Sequence, residues 1–183
     1  ARRNGIAWYH IADVAAPALM LAYAVGRIGC QLSGDGCWGI PNPNPKPALL
    51  SFLPDWMWAF NYPHNIINEG IPIADCTGAH CFVLEHPVFP TPIYETILCT
   101  LFFLVLWRMR KRLKYAGHLF SIYLILNGLE RFLIEIIRVN QRYTLTGNLA
   151  LTQAQIIAIG LVITGIVLHY YFKKQSIIIQ SGS

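Results

Sequence analysis

Uncharged apolar runs punctuated by short basic clusters constrain this chain more than any other feature. The longest run, 143–172, contains no Asp, Glu, Lys or Arg, and its stretch 155–172 is long enough to cross the hydrocarbon layer of a bilayer. Three shorter runs, 14–26, 96–107 and 115–129, are each bounded or extended by a charge. A charge at that depth is costly and faces a polar interior rather than lipid. The pattern predicts an all-α, polytopic helical membrane protein with about four transmembrane helices, at 10–30, 92–108, 117–138 and 152–172. Composition agrees. Of the 183 residues 13% are charged and 55% hydrophobic, against roughly 25% charged in an average soluble domain. This excludes a disordered chain and argues against a cytosolic enzyme.

The net charge of +5 would suit a nucleic-acid binder if it formed a patch on a soluble scaffold. Instead the cations sit at the ends of the apolar runs. Arg2 and Arg3 precede the first, Arg108, Arg110, Lys111, Arg112 and Lys114 follow the second, and Lys173 and Lys174 follow the last. Clusters on alternate connections are the positive-inside signature. The long segment 33–90 falls on the opposite side and holds one cation, Lys46. The expected organisation is therefore one membrane domain over 1–183, with 33–90 as an extracytoplasmic Pro- and Trp-rich loop between the first two spans. No nucleic-acid partner is expected. Nor does the start of the sequence resemble a signal segment.

Within that loop Pro41, Pro43, Pro45 and Pro47 alternate with other residues, which enforces an extended, non-helical path. Trp56, Met57 and Trp58, with Phe60 and Tyr62, suit either the headgroup level of the membrane or a packed aromatic core inside the loop. An oxidising exterior permits disulfides, and Cys76 with Cys81 is the preferred pair. Cys99, in mid-span, reads as a small buried hydrophobe. His80 and His86 form no familiar ligand spacing, so no metal is expected.

Three segments place polar chemistry beside the bilayer. The first, 26–39, holds Arg27 and five glycines in 14 residues at the end of a span. Glycines allow close backbone approach to a ligand, and a guanidinium grips phosphate with a bidentate fork. The plainer alternative is a helix-ending turn beside a snorkelling Arg. In the second segment, Asn127, Arg131, Glu135 and Arg138 fall within an arc of roughly 80° on a helix. Arg131–Glu135 and Glu135–Arg138 are spaced for pairing. That stripe lines either a ligand cavity or a structural ion-pair network, and if Glu130 points away from it one positive charge is left over. In the third segment, Thr91 as N-cap, Pro92 at the first helical position and an acid in the first turn make a sound helix start. Tyr94 and Glu95 could equally orient an Arg or touch substrate.

Taken in order, these segments resemble the prolipoprotein diacylglyceryl transferase family. Gly26-Arg27-Ile28-Gly29 with Gly39 is similar to its signature Gly-Arg-x-Gly-Asn-Phe-x-Asn-x-Glu-x-x-Gly. Pro90 to Glu95 resembles a second block. Gly117-x-Leu-Phe, Asn127-Gly128, Arg131-Phe132, Glu135 and Arg138 resemble its late Arg-rich helix, and Leu151-Thr152 with Gln155 the start of its last helix. Departures lie at Cys30, Gln31, Ser33 and Asp35, in one extra residue before Gly39, and at Pro92 where the family has Gln. The family also holds earlier spans and a His-Gly-Gly segment. No such segment occurs here, since His10 is followed by Ile11, Ala12 and Asp13. The resemblance thus implies a C-terminal portion whose partners include the earlier spans of the same protein.

The implied activity moves a diacylglyceryl group from phosphatidylglycerol to the lipobox cysteine of a prolipoprotein signal peptide, releasing glycerol phosphate, with no cofactor. The implied place is the bacterial cytoplasmic (inner) membrane, multi-pass, with the active site on the periplasmic side among membrane lipid. The catalytic residues implied are Arg27, Arg131, Glu135 and Arg138. Gly26, Gly29, Cys30, Ser33, Asp35, Gly39, Tyr94, Glu95 and Asn127 would hold lipid or substrate. The alternative is a non-catalytic membrane subunit or transporter fragment that binds lipid through the same charged stripe.

Overall fold

A computed structural model describes residues 7–113, 115–138, 142–146 and 149–181. Arg2, Arg3 and Lys114 of the expected basic clusters lie outside the described residues. Four helices carry the fold: α1 Trp8–Ser33, α2 Thr91–Met109, α3 His118–Glu135 and α4 Gln153–Ser181. Two short antiparallel hairpins accompany them, β1 Ile71–Pro72 with β2 Phe82–Val83, and β3 Arg142–Thr146 with β4 Leu149–Thr152. The protein is therefore mostly helical rather than purely so. Hairpin β3–β4 occupies most of what the sequence suggests is a plain loop at 139–151. Its ladder satisfies backbone groups that a loop beside lipid would leave open.

Among the described residues, three helices are long and apolar enough to cross a membrane: α1, α2 and α4 over Gln153–Gln175. Four expected spans is thus slightly more than is shown. Helix α3 is shorter, with 18 residues, and carries Glu130, Arg131 and Glu135 in its last two turns. The surface is inverted relative to a soluble protein. Val14, Leu32, Leu101, Leu133 and Val167 are more than half exposed, whereas Glu95, Ser121, Glu130 and Glu135 are buried. Lipid is the solvent that makes this arrangement favourable.

Helices α1, α2 and α3 share a core of Met20, Ala24, Cys99, Leu106 and Leu119. Cys99 is buried in it, as its apolar surroundings in the sequence lead one to expect. Helix α3 is capped from outside its own sequence: Asp13 of α1 accepts hydrogen bonds from Gly117 N (2.6 Å) and Phe120 N (2.7 Å). That carboxylate offsets the positive end of the helix and explains a charge inside a span. At the start of α4, Thr152 and Gln155 cap reciprocally, Thr152 N donating to Gln155 Oε1 (3.0 Å) and Gln155 N to Thr152 Oγ1 (3.2 Å). Helices α3 and α4 pack through small residues. A Cβ at Gly128 would lie 2.7 Å from Ala158 O, and one at Gly165 2.8 Å from Ser121 O. Small residues of this kind drive helix association in lipid, where no hydrophobic gradient is available.

The segment between α1 and α2 is a folded body rather than a tether. Trp38, Tyr62, Leu84 and Val88 form its core, with Phe60 against them. Of the aromatic cluster, Phe60 and Tyr62 therefore join a packed core, while Trp56 remains exposed. Asn65 is buried and donates through Nδ2 to the carbonyls of Tyr62, Glu69 and Phe82. The alternating prolines lie outside any helix, as expected. Cys76 and Cys81 are joined in the expected disulfide, with a Cα–Cα distance of 5.6 Å. Tyr62 Oη donates to Gln31 Oε1 (2.6 Å), which fastens the body to the end of α1.

Overpacking tests the α3–α4 contact. Gly128→Val is expected to cost roughly 1–3 kcal/mol, read as a lower thermal unfolding midpoint in detergent. Gly160→Ala, where nothing lies within 4 Å of the added methyl, should leave the midpoint unchanged or raise it.

Candidate active site

Three helices bring their ionisable residues together at the end nearest the 34–90 body. On α1, Arg27 follows Tyr23 by one turn, so both share a face toward α2. Arg27 Nε lies 2.6 Å from Glu95 Oε2. This is a close charge–charge contact, and the directional bond of the guanidinium goes elsewhere: Arg27 Nη2 donates to Tyr23 Oη (2.9 Å), which in turn donates to Glu95 Oε2 (2.7 Å). Glu95 is fully buried, and the Arg27 side chain is 13% exposed. A carboxylate stripped of water survives only with such partners.

Glu95 therefore belongs to the cluster rather than serving only as an acid in a first turn. The helix start also differs from the expected one. The N-cap of α2 is Pro90, and no side chain caps it. Thr91 instead donates its hydroxyl to Cys37 O (2.6 Å), tying the loop to the helix. A Thr inside the first turn can reach a foreign carbonyl more readily than its own helix amides, since Pro92 removes one of those donors.

Helix α3 contributes the third side. Arg131 Nη2 lies 3.7 Å from Glu135 Oε2, the expected i, i+4 pair. Glu130 does not point away: it is buried, neither carboxylate oxygen has a hydrogen-bond partner among the described residues, and it interacts electrostatically with Glu95, Arg131, Arg27 and Arg138. It is the residue through which the α1–α2 pair and the α3 stripe feel each other. Helical-wheel reasoning set it outside the Asn127–Arg138 arc. The signal that would have found it is its adjacency to Arg131, which makes it the only acid able to face α1 and α2 while Glu135 faces Arg131. Arg138 has one buried guanidinium nitrogen, Nη1, without a hydrogen-bond partner among the described residues.

Gly39 is placed by close approach. Its N–H donates to Phe89 O (2.8 Å), and Ile40 N donates to Ile137 O (2.9 Å), so Gly39 bridges to Arg138. A Cβ there would meet Ile137 O at 2.6 Å and Phe89 Cβ at 2.9 Å. Only glycine lets the loop pass between the start of α2 and the end of α3. Gly26 and Gly29, in contrast, meet nothing within 4 Å and leave open surface on α1 beside Arg27. Ser33 donates to Cys30 O at the helix end (3.4 Å). Tyr94 points away from the cluster and donates to Met57 O (2.8 Å). Asn127 is half-buried on α3. At Asp35 burial alone would raise the carboxyl. Hydrogen bonding from the Cys30 and Cys37 thiols and from Cys37 N outweighs it and holds the group below its ordinary value.

Fold and site together define a multi-pass helical membrane protein with an arginine- and glutamate-lined cluster buried at one end of its helices. The family model for prolipoprotein diacylglyceryl transferase matches residues 1–171, and the chain belongs to that family. Among its relatives are proteins named phosphatidylglycerol–prolipoprotein diacylglyceryl transferase. The protein from Leptospira interrogans is 34% identical over 134 residues, covering 70% of this chain and 33% of that protein. The one from Geobacillus kaustophilus is 31% identical over 170 residues, covering 92% of this chain and 53% of that protein. The one from Shouchella clausii is 30% identical over 173 residues, covering 93% and 53%. The chain thus spans between a third and about half the length of these relatives.

The Arg27–Glu95 contact is testable by a double-mutant cycle. Glu95→Leu alone strands a buried guanidinium and should cost roughly 3–5 kcal/mol. Arg27→Met with Glu95→Leu should recover most of that loss. Denaturant unfolding in detergent measures both, and additivity of the two single changes would refute the coupling.

Proposed function

We propose that this chain carries the anion-binding face of a transferase that moves the diacylglyceryl group of phosphatidylglycerol onto the lipobox cysteine of a prolipoprotein. The supporting observation is the pair of arginine–carboxylate contacts on separate helices, Arg27 of α1 with Glu95 of α2 and Arg131 with Glu135 on α3, beside the buried Glu130, in a chain whose family is named for that reaction. The acceptor thiol, as thiolate, attacks the terminal glycerol carbon of the lipid. A C–S bond forms, the C–O bond to phosphate breaks, and glycerol phosphate departs with the electron pair and gains charge. Arg27 and Arg131 bind that phosphate and stabilise the developing charge, which counts for more in a site screened from water.

Arg27 keeps guanidinium donors available, since Nη1 reaches only the Cys30 sulfur at 3.9 Å. Tyr23 and Glu95 hold its orientation, and Glu135 holds Arg131 through a 3.7 Å contact loose enough to yield to a phosphate. Arg138 adds a donor, Nη1, that has no hydrogen-bond partner among the described residues. The open surface at Gly26 and Gly29 gives acyl chains a place to lie against α1. Following the positive-inside rule, this end of the bundle faces the periplasm of a bacterial inner membrane, and α3 completes a fourth span. The 34–90 body then stands on the outer side, where a prolipoprotein signal peptide would be presented.

In native membranes given labelled phosphatidylglycerol and a lipobox peptide, the protein should yield a thioether-linked lipid product. Arg27→Ala and Arg131→Ala should each abolish that product, while Lys46→Ala should leave it unchanged. Normal turnover by either arginine variant at normal expression, or lipid binding by the wild type with no product, would overturn the reading.

A further inference from the structure

The turn that ends α1 assembles three potential metal ligands that the cluster described above does not need. Gly34 takes a left-handed conformation (φ 62°) and its N–H closes onto Cys30 O (3.0 Å). Gly36 is also at positive φ (86°). These two reversals carry Cys37 back beside Cys30, with Asp35 between them. The carboxylate accepts Cys37 N–H at Oδ1 (3.1 Å), and Cys37 O is held by the Thr91 hydroxyl. The backbone of the turn is therefore anchored at both ends. One sulfur from each cysteine and one Asp35 oxygen lie within 4.8 Å of one another, and all three residues are half-buried. Both thiols are free.

We infer that Cys30, Asp35 and Cys37 bind one divalent metal ion of the zinc class. Two thiolates and a carboxylate are borderline-soft donors suited to Zn²⁺. With metal–ligand bonds of about 2.0–2.3 Å, tetrahedral ligand atoms stand roughly 3.5 Å apart, so the observed cluster needs only a small contraction. A water molecule completes the fourth position. The exchange balances. Two thiol protons leave to solvent as one divalent cation enters, and the local charge stays at −1 throughout. Arg27, whose Nη1 lies 3.9 Å from the Cys30 sulfur, keeps the same electrostatic surroundings and lies beside a metal-bound thiolate. Such outer partners stabilise thiolate ligands. The bound ion would staple the first turn of the 34–90 body to α1, one helical turn beyond Arg27. This inference rests on the three side chains alone and holds whether or not the transferase reading does.

The test uses the whole protein in detergent, reduced with a phosphine, freed of metal and titrated with Co²⁺ and Zn²⁺. One ion per chain is expected. Co²⁺ should give thiolate-to-metal charge transfer and the intense visible bands of a tetrahedral centre. Cys30→Ser and Cys37→Ser should each lose the charge-transfer band, while Cys99→Ser should keep it. A second measurement avoids any folding defect of the variants: in the unaltered protein, Zn²⁺ should protect Cys30 and Cys37 from alkylation, as mapped by peptide mass. Equal labelling with and without Zn²⁺ overturns the inference. So does the absence of stoichiometric binding, or the finding that Cys30 and Cys37 are joined to each other in protein alkylated as it is isolated from membranes.

Discussion

A fully buried carboxylate in a bundle whose outer surface is Leu, Ile and Val is the constraint on which the rest depends. Glu95 is fully buried, so α1 must supply a cation and a hydroxyl at the right height. Arg27 and Tyr23 do so from adjacent turns, and the triangle they form with Glu95 sets the rotation and depth of α1 against α2. Helix α3 then brings its buried Glu130 to the same cluster, within electrostatic reach of Glu95 and of the arginines. Burial of polar groups and exposure of apolar ones is thus one pattern seen twice: lipid rewards the apolar exterior and penalises any other place for the charges.

Backbone ties then convert this electrostatic pairing into defined geometry. The strand-like path through Gly39 and Ile40 hydrogen-bonds on one side to Phe89, just before α2, and on the other to Ile137, just after α3. It locks the start of α2, which carries Glu95, to the turn after α3 that leads to Arg138. At the far end of the bundle, Asp13 caps α3 from α1. Between these anchors, Gly128 and Gly165 let α4 lie close along α3. The arginines are therefore set in a framework whose contacts lie mostly elsewhere, as the proposed anion site would require.

Three arginines, Arg27, Arg131 and Arg138, stand among the buried carboxyl groups of Glu95, Glu130 and Glu135. The cluster still keeps directional capacity, because guanidinium groups carry five donors each and Arg138 Nη1 has no hydrogen-bond partner among the described residues. On the proposed reading, a phosphate would compete with loose contacts such as Arg131–Glu135 rather than with the tight Arg27–Glu95 pair.

Much of this was legible from the chain alone. Runs such as 143–172, and cations at their ends, dictate membrane helices because lipid tolerates few alternatives, and ordered blocks around Arg27, Glu95 and Arg131 carry the family resemblance. The i, i+4 pairing of Arg131 with Glu135 and the Cys76–Cys81 disulfide are local and so equally readable. Tertiary structure alone decided the rest. Glu95 became the partner of Arg27 across 68 positions of chain, Tyr94 turned instead to Met57, Thr91 served Cys37 rather than its own helix, and Glu130 turned inward. Periodicity assigns a residue to a face of its helix, but which face meets which neighbour is settled only when the helices pack and every buried charge has to find its counterpart.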